Sequence, residues 1–185
     1  MAIDAFVANL YNSTPAAVTG KFINNVQGGT GQLFADLVEY NTNDLTGISL
    51  TVDRLMTANN SGIASSTPPS DIATAINTQG AYTPDMGEFG VVLFTFANLP
   101  TSIQTFSLRV HTATTFSGQT NTRINANGSE LTGAGTTDDS YVEFTGLTPN
   151  GSNQLVVELE DLEVSNGYQL FINGFDVFDV VETSG

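Results

Sequence analysis

The stretch Phe-Ser-Leu-Arg-Val-His at residues 106–111 decides the fold class, because its apolar and polar residues alternate strictly. Successive side chains of a β-strand point to opposite faces. The three apolar residues are therefore predicted to face a core, and the three polar ones, including His111, to face solvent. Residues 155–160 and 141–144 repeat the alternation. Three independent alternations predict an all-β protein.

Further runs of strand composition are separated by clusters of Gly, Asn, Thr and Pro, which are typical of turns. They are Phe6–Tyr11, Lys21–Val26, Gly47–Leu55, Phe89–Asn98, Asn121–Asn125 and Tyr168–Val181. Leu33–Tyr40 is compatible with either a strand or a helical turn. In the last run the apolar parity changes, which predicts a bulge or sharp bend at Gly174. These runs predict an antiparallel β-sandwich of the jelly-roll type.

One long loop, Met56–Gly87, interrupts the strand pattern. Pro68-Pro69 breaks regular structure there. Ser70-Asp71 follows and can cap a short helix that runs through Ile76. The sequence therefore predicts a sandwich with one long loop that carries a short helix.

The charge balance excludes two classes of partner. Nineteen acidic residues stand against four basic ones, for a net charge of −15. Nucleic acids and anionic membranes both attract Lys and Arg, so neither is a predicted partner. The start of the chain lacks a basic region and an apolar region, and no apolar run is long enough to span a membrane. We expect a chain that is used without a secretory signal or is cut from a longer precursor.

Catalytic chemistry has few candidate residues. With no Cys and one His, neither a thiolate nor a zinc site can be assembled. A Ser-His-Asp triad would have to form around His111, which is predicted to lie on the solvent face of a strand. The acidic cluster at 158–163 is interpreted as a solvated strand face and turn, not as a pair of glycosidase carboxylates. We therefore predict that the protein is not an enzyme.

Three groups of residues are candidate ligand sites. A sugar is bound by an apolar surface together with polar groups that fix its hydroxyls. Tyr82 with Asp85 and Glu88 could supply both, and Arg123 with Asn121 and Asn125 is a second set of polar groups. Tyr82 can equally serve to anchor the long loop. Asp138 and Asp139 lie in a Gly/Thr-rich loop, where they could supply oxygen ligands to calcium or simply form a turn.

A family resemblance is carried by the stretch Asp-Asp-Ser-Tyr-Val-Glu-Phe-Thr-Gly-Leu-Thr-Pro-Asn-Gly at 138–151. It resembles the penultimate hairpin of galactose-binding-like β-sandwich modules, which are attached to bacterial polysaccharide-degrading enzymes. Gly167–Val177 is similar to their closing strand and Thr46–Val52 to an early strand. The resemblance implies a galactose-binding-like sandwich at 32–185, preceded by an N-terminal arm or edge strands at 1–31. Unlike those modules, the chain has no Trp.

The organisation of the chain also resembles that of stand-alone β-sandwich proteins in bacteriophage virions. The leading prediction is a virion accessory subunit, such as a capsid decoration or tail-associated protein. It would dock onto other virion proteins or onto itself as a homo-oligomer, with residues 1–31 as the candidate docking arm. The alternative is a carbohydrate-binding module for a polysaccharide, assisted by calcium, within a larger extracellular protein.

Overall fold

The computed structural model of the protein describes residues 6–9, 22–26, 32–54, 56–59, 80–82, 91–112, 122–133, 141–162 and 170–183. Within these ranges the secondary structure consists of strands, and no segment forms a helix that could cross a membrane. The strands are β1 (Phe6–Asn9), β2 (Asn24–Asn25), β3 (Gln32–Phe34), β4 (Ser49–Val52), β5 (Thr57–Asn59), β6 (Gly80–Tyr82), β7 (Val91–Ala97), β8 (Ile103–His111), β9 (Thr122–Ala126), β10 (Ser129–Gly133), β11 (Tyr141–Leu147), β12 (Leu155–Asp161), β13 (Phe171–Ile172) and β14 (Gly174–Glu182).

Two large sheets face each other. The five-stranded sheet has the order β11-β8-β14-β1-β2, and the six-stranded sheet has the order β10-β9-β12-β7-β4-β3. Neighbouring strands run antiparallel, except that β1 and β2 pair in parallel over two residues. A third, small sheet has the order β13-β6-β5. The predicted antiparallel β-sandwich is confirmed.

Four phenylalanines join the two large sheets through the core. Phe94 and Phe96 come from the six-stranded sheet, and Phe6 and Phe175 come from the five-stranded sheet. Ring centroids lie 4.8 Å apart for Phe94 and Phe175 and 5.4 Å apart for Phe6 and Phe96. All four side chains are buried, which stabilises the fold by roughly 2–3 kcal/mol for each one. The apolar alternation of the sequence thus lines the space between the sheets.

The segments without a regular strand pattern in the sequence adopt different structures. Met56–Gly87 contributes β5 and β6, which were not predicted, and the predicted helix through Ile76 lies outside the described residues. Leu33–Tyr40 begins in β3 and continues as an irregular segment, in which Val38 forms an isolated antiparallel bridge with Leu45. At Asn173 the chain leaves β13 in the small sheet and enters β14 in the five-stranded sheet, so the parity change marks a change of sheet. The register shift of β14 lies further on, between Phe178 and Val181.

The hairpin between β9 and β10 is fixed by its turn. Asn127 and Gly128 have φ angles of 47° and 90°, which is the left-handed pair that a two-residue type I′ turn requires. The Asn127 amide nitrogen donates hydrogen bonds to the carbonyl oxygens of Thr148 and Gln154, at 2.8 and 2.9 Å. Its oxygen accepts a bond of 2.8 Å from the Val156 amide. One side chain therefore ties the hairpin to β12.

The N-terminal residues contribute to the sandwich itself. β1 pairs along β14, and its Phe6 and Ala8 are buried in the core. β2 lies at the sheet edge, where the Asn24 side chain donates to the Val38 carbonyl and accepts from the Val38 amide, at 3.0 and 2.8 Å. Asn24 thereby mimics a strand partner and connects β2 to the segment between β3 and β4. The described part of residues 1–31 therefore supplies two strands at one side of the five-stranded sheet.

Candidate functional site

Polar residues converge on the outer face of the five-stranded sheet, the face turned away from the core. The strand register sets Glu143 of β11 opposite Arg109 of β8, and Arg109 opposite Asp176 of β14. Side chains that are directly opposite on neighbouring strands lie about 5 Å apart at Cβ. The pairing of three strands therefore creates a row of one base between two acids. We call this row and its neighbours the Arg109 cluster; its members are Arg109, Glu143, Asp176, Tyr141, Phe178 and His111.

The ion pairs of the cluster fix the guanidinium of Arg109. Its Nε donates to Glu143 Oε2 at 2.8 Å, and its Nη1 donates to Asp176 Oδ2 at 3.2 Å. Asp176 is buried, whereas the side chain of Glu143 is 36% exposed. Burial of Arg109 opposes its charge, but the hydrogen bond to Glu143 and the charge of Asp176 outweigh it and raise the pKa of Arg109. Arg109 is therefore a permanent cation with a fixed direction.

Two aromatic rings enclose the same guanidinium. The Phe178 ring centroid lies 3.9 Å from Arg109 Cζ, and the Tyr141 ring centroid lies 5.6 Å from it. Both distances are within the range of cation–π attraction. Tyr141 is half-buried and Glu143 exposed, so these two residues form the solvent-facing part of the cluster. The cluster thus presents an aromatic ring and a carboxylate to solvent, and both contact the Arg109 guanidinium beneath them.

His111 corrects one expectation from the sequence. It lies on the face away from the core, as its parity predicts, but its side chain is completely buried instead of being solvent-exposed. Its Nε2 lies 3.7 Å from Asp176 Oδ2, and its ring centroid lies 5.6 Å from that of Tyr141. Neither ring nitrogen forms a hydrogen bond with the described residues. Parity alone could not reveal that this end of the face is covered.

The buried His111 does not form a catalytic triad with Ser107. Ser107 is the serine on the same face of β8, but it lies four residues before His111. Residues on a strand are about 3.3 Å apart, so the two side chains are separated by about 13 Å. Arg109 stands between them. The described residues of the cluster therefore carry a His–Asp contact without a nucleophile.

Arg123 and Asn125, predicted as ligand residues, lie on the outer face of the six-stranded sheet, on the other side of the sandwich. Arg123 Nη2 bonds to Glu160, and its Nε lies 4.0 Å from Glu130 Oε2. Asn125 Oδ1 accepts a bond of 2.9 Å from the Gly128 amide in the β9–β10 turn. Both side chains therefore have structural roles within this face.

The acidic cluster at 158–163 differs from the solvated face that the sequence predicted. Glu160 and Asp161 are both buried, at 8% and 4% exposure. Glu160 is covered because it bonds to Arg123 on the neighbouring strand. Glu158 is half-buried on the same face, and Glu163 lies outside the described residues. The prediction of a solvated acidic face was wrong for Glu160 and Asp161.

Tyr82 is connected to the Arg109 cluster through the backbone. It belongs to β6, where it pairs with Phe171 of β13. Two residues after β13 begins, the chain reaches Asn173, whose amide donates to the His111 carbonyl at 2.8 Å. The small sheet thus continues into the end of β8 at which His111 lies.

The other predicted ligand residues, Asp85, Glu88, Asn121, Asp138 and Asp139, lie outside the described residues, and their assignment stays a prediction. Asp138 and Asp139 shortly precede Tyr141, the first residue of β11. In the part of the chain that the structure describes, no three His, Asp or Glu side chains converge as metal ligands. Calcium binding at Asp138 and Asp139 therefore also stays a prediction.

Solved structures share the fold of this chain at low sequence identity. The ANX2 ectodomain from Arabidopsis thaliana matches 98% of this chain and 50% of its own length, with 12% identity and a TM-score of 0.55. The ANXUR2 extracellular domain from the same plant matches 98% and 49%, with 12% identity and a TM-score of 0.56. The chain therefore spans about half the length of these ectodomains. No protein-family model matches this chain, and no curated protein matches it in sequence.

These two matches bear on the fold alone. They support a β-sandwich of the kind found in extracellular domains. Neither is a virion protein, and the prediction of a virion subunit gains no support from them.

Sequence reasoning did not identify the Arg109 cluster as a site. One signal was present: Asp176 is an acid between Phe175 and Val177, in a strand that is otherwise apolar at this point. A buried carboxylate requires a cationic or hydrogen-bonding partner. The partner, Arg109, is 67 residues away in the chain, and only the register of β8 and β14 brings the two together.

Proposed function

We propose that the protein is a non-catalytic, extracellular β-sandwich module that binds a polysaccharide at the Arg109 cluster. The observation that carries this proposal is the half-buried Tyr141 ring beside the exposed carboxylate of Glu143. A sugar needs an apolar surface for its ring and polar groups for its hydroxyls, and these two residues offer both.

The rigidity of the cluster favours a binding role. Arg109 holds Glu143 Oε2 at 2.8 Å and is itself fixed by the buried Asp176. Glu143 Oε1 receives no hydrogen bond from the described residues, so it is available to accept one from a sugar hydroxyl. Side chains that are already ordered lose little conformational entropy when a ligand binds. We therefore assign the aromatic contact to Tyr141 and the acceptor role to Glu143.

We add two further ligand contacts to this proposal, a calcium ion and a second aromatic residue. Asp138 and Asp139 shortly precede Tyr141 in sequence, and their carboxylates are the proposed oxygen ligands of a calcium ion next to this contact residue in the chain. Tyr82, on the strand paired with β13, is the candidate for a second ring contact.

The test is affinity electrophoresis of the protein through gels that contain soluble polysaccharides, with calcium and with EDTA. Retardation by at least one polysaccharide is expected. Tyr141→Ala and Glu143→Gln should each weaken this binding about tenfold or more, which corresponds to about 1.4 kcal/mol. Glu158→Gln on the opposite sheet is the matched control and should leave binding unchanged.

Other results would redirect the proposal. Loss of binding in Tyr82→Ala with full binding in Tyr141→Ala would place the site elsewhere. No retardation by any polysaccharide, together with self-association measured by solution mass, would contradict glycan binding and favour surface docking.

A further inference from the structure

Each arginine in the described part of the chain forms at least one hydrogen bond or ion pair within the protein. Arg54 Nε donates to the Val91 carbonyl, Arg109 bonds to Glu143 and Asp176, and Arg123 pairs with Glu160 and Glu130. The chain has only one other basic residue, Lys21, which lies outside the described residues. No described guanidinium is therefore without a carboxylate or carbonyl partner. These internal partners weaken the attraction that an arginine could exert on an anionic ligand.

The row of Arg109, Glu143 and Asp176 within the Arg109 cluster carries a negative charge. One guanidinium between two carboxylates leaves a net charge of −1. Of these groups, the exposed one is the Glu143 carboxylate, while Arg109 and Asp176 lie behind it with side-chain exposures of 14% and 4%. An approaching anion would meet Glu143 first, because the less exposed Arg109 lies behind that carboxylate and donates its Nε hydrogen bond to it at 2.8 Å. Like charges at such short range repel strongly where water is partly excluded.

The whole chain adds to this local effect. Its net charge of −15 produces a negative potential that lowers the local concentration of anionic ligands. An uncharged sugar pays no such penalty, and its hydroxyls can donate directly to Glu143 Oε1.

We infer that the polysaccharide bound at the Arg109 cluster is uncharged, and that glycans rich in uronic acid or sulfate are rejected. This inference rests on the proposed function and adds the ligand class to it. It further implies that binding is nearly independent of salt, because no ligand charge is screened.

The experiment compares two sets of probes in the same electrophoresis assay, with the full chain throughout. The uncharged set contains a β-1,3-glucan, a galactomannan and an arabinoxylan, and the charged set contains polygalacturonate and alginate. We expect retardation by at least one uncharged probe and by no charged probe. The affinity for the uncharged probe should change by less than about twofold when salt is raised to about 0.5 M.

Two outcomes are distinguishable failures. Binding of a charged probe that weakens with salt would overturn the inference and leave glycan binding itself intact. Lys21→Gln would then show whether the one basic residue outside the described part is responsible. Binding of no probe in either set would contradict the proposed function itself.

Discussion

Asp176 is a buried carboxylate whose charge requires a partner in this protein. Its side chain is 4% exposed, and its charge is balanced by Arg109 at 3.2 Å. A carboxylate that loses its arginine partner inside a protein remains desolvated and loses most of the interaction that compensates for burial. Arg109 is therefore required for stability as well as for the orientation of Glu143.

Arg109→Leu is expected to destabilise the protein by about 3 kcal/mol, because Asp176 would stay buried without its guanidinium partner, with only the His111 imidazole at 3.7 Å beside it. The double variant Arg109→Leu, Asp176→Leu should recover most of this loss, since no buried charge is then left without a partner. Urea unfolding of both variants and of Asp176→Leu gives the free energies of unfolding for a double-mutant cycle. Equal stability of the single and double variants would show that the pair does not matter.

Gly128 and Gly151 form a matched pair for backbone strain. Both are exposed, and a Cβ added at either would meet no atom within 4 Å, but Gly128 alone has a left-handed φ, at 90°. Gly128→Ala should therefore cost about 1 kcal/mol in unfolding free energy. Gly151→Ala should be neutral or stabilise by about 0.5 kcal/mol, because it restricts the unfolded chain. Urea midpoints compare the two, and equal shifts would remove φ as the cause.

Among the elements, the long alternating strands could be predicted from the sequence, whereas the two short strands of the Met56–Gly87 segment could not. β8, β11 and β12 follow the alternation at 106–111, 141–144 and 155–160. β5 and β6 have three residues each, too few to show a period, and only their pairing within the small sheet defines them.

The candidate site was less predictable than the fold, because it depends on contacts between distant strands. Parity placed Arg109 and His111 on the outer face, but the pairing of β8 with β14 determines which acid they meet. The burial of His111 and Glu160 likewise depends on neighbours that local sequence does not reveal.

β1 is an integral strand, so Phe6→Ala should destabilise the protein by about 3–5 kcal/mol. Its ring is buried against Phe96 of the opposite sheet, with centroids 5.4 Å apart. Leu33→Ala is the control; Leu33 is 60% exposed, and its loss should change stability by less than about 0.5 kcal/mol. Thermal unfolding compares the two variants. A small effect at Phe6 would mean that β1 is dispensable and free to act as a docking arm.

At the scale of the whole molecule, the charge of −15 on 185 residues opposes the compact state. Like charges are brought together on folding, and dissolved salt screens them. We expect the melting temperature to rise by a few degrees between low salt and about 0.5 M NaCl, where about 1 kcal/mol corresponds to 2–4 °C. Sucrose at equal osmolality is the control for solute exclusion. An unchanged melting temperature would show that repulsion is negligible.

The pairing of β1 with β14 also determines how the module would respond to tension. Phe6 is opposite Val177 and Asn9 is opposite Gly174, so the chain enters β1 and leaves β14 at the same end of the sheet. A pull on the two flanking segments would load these backbone hydrogen bonds one after another instead of all at once. β1 would therefore separate from β14 at low force, one hydrogen bond after another, and Phe6 would leave the core first.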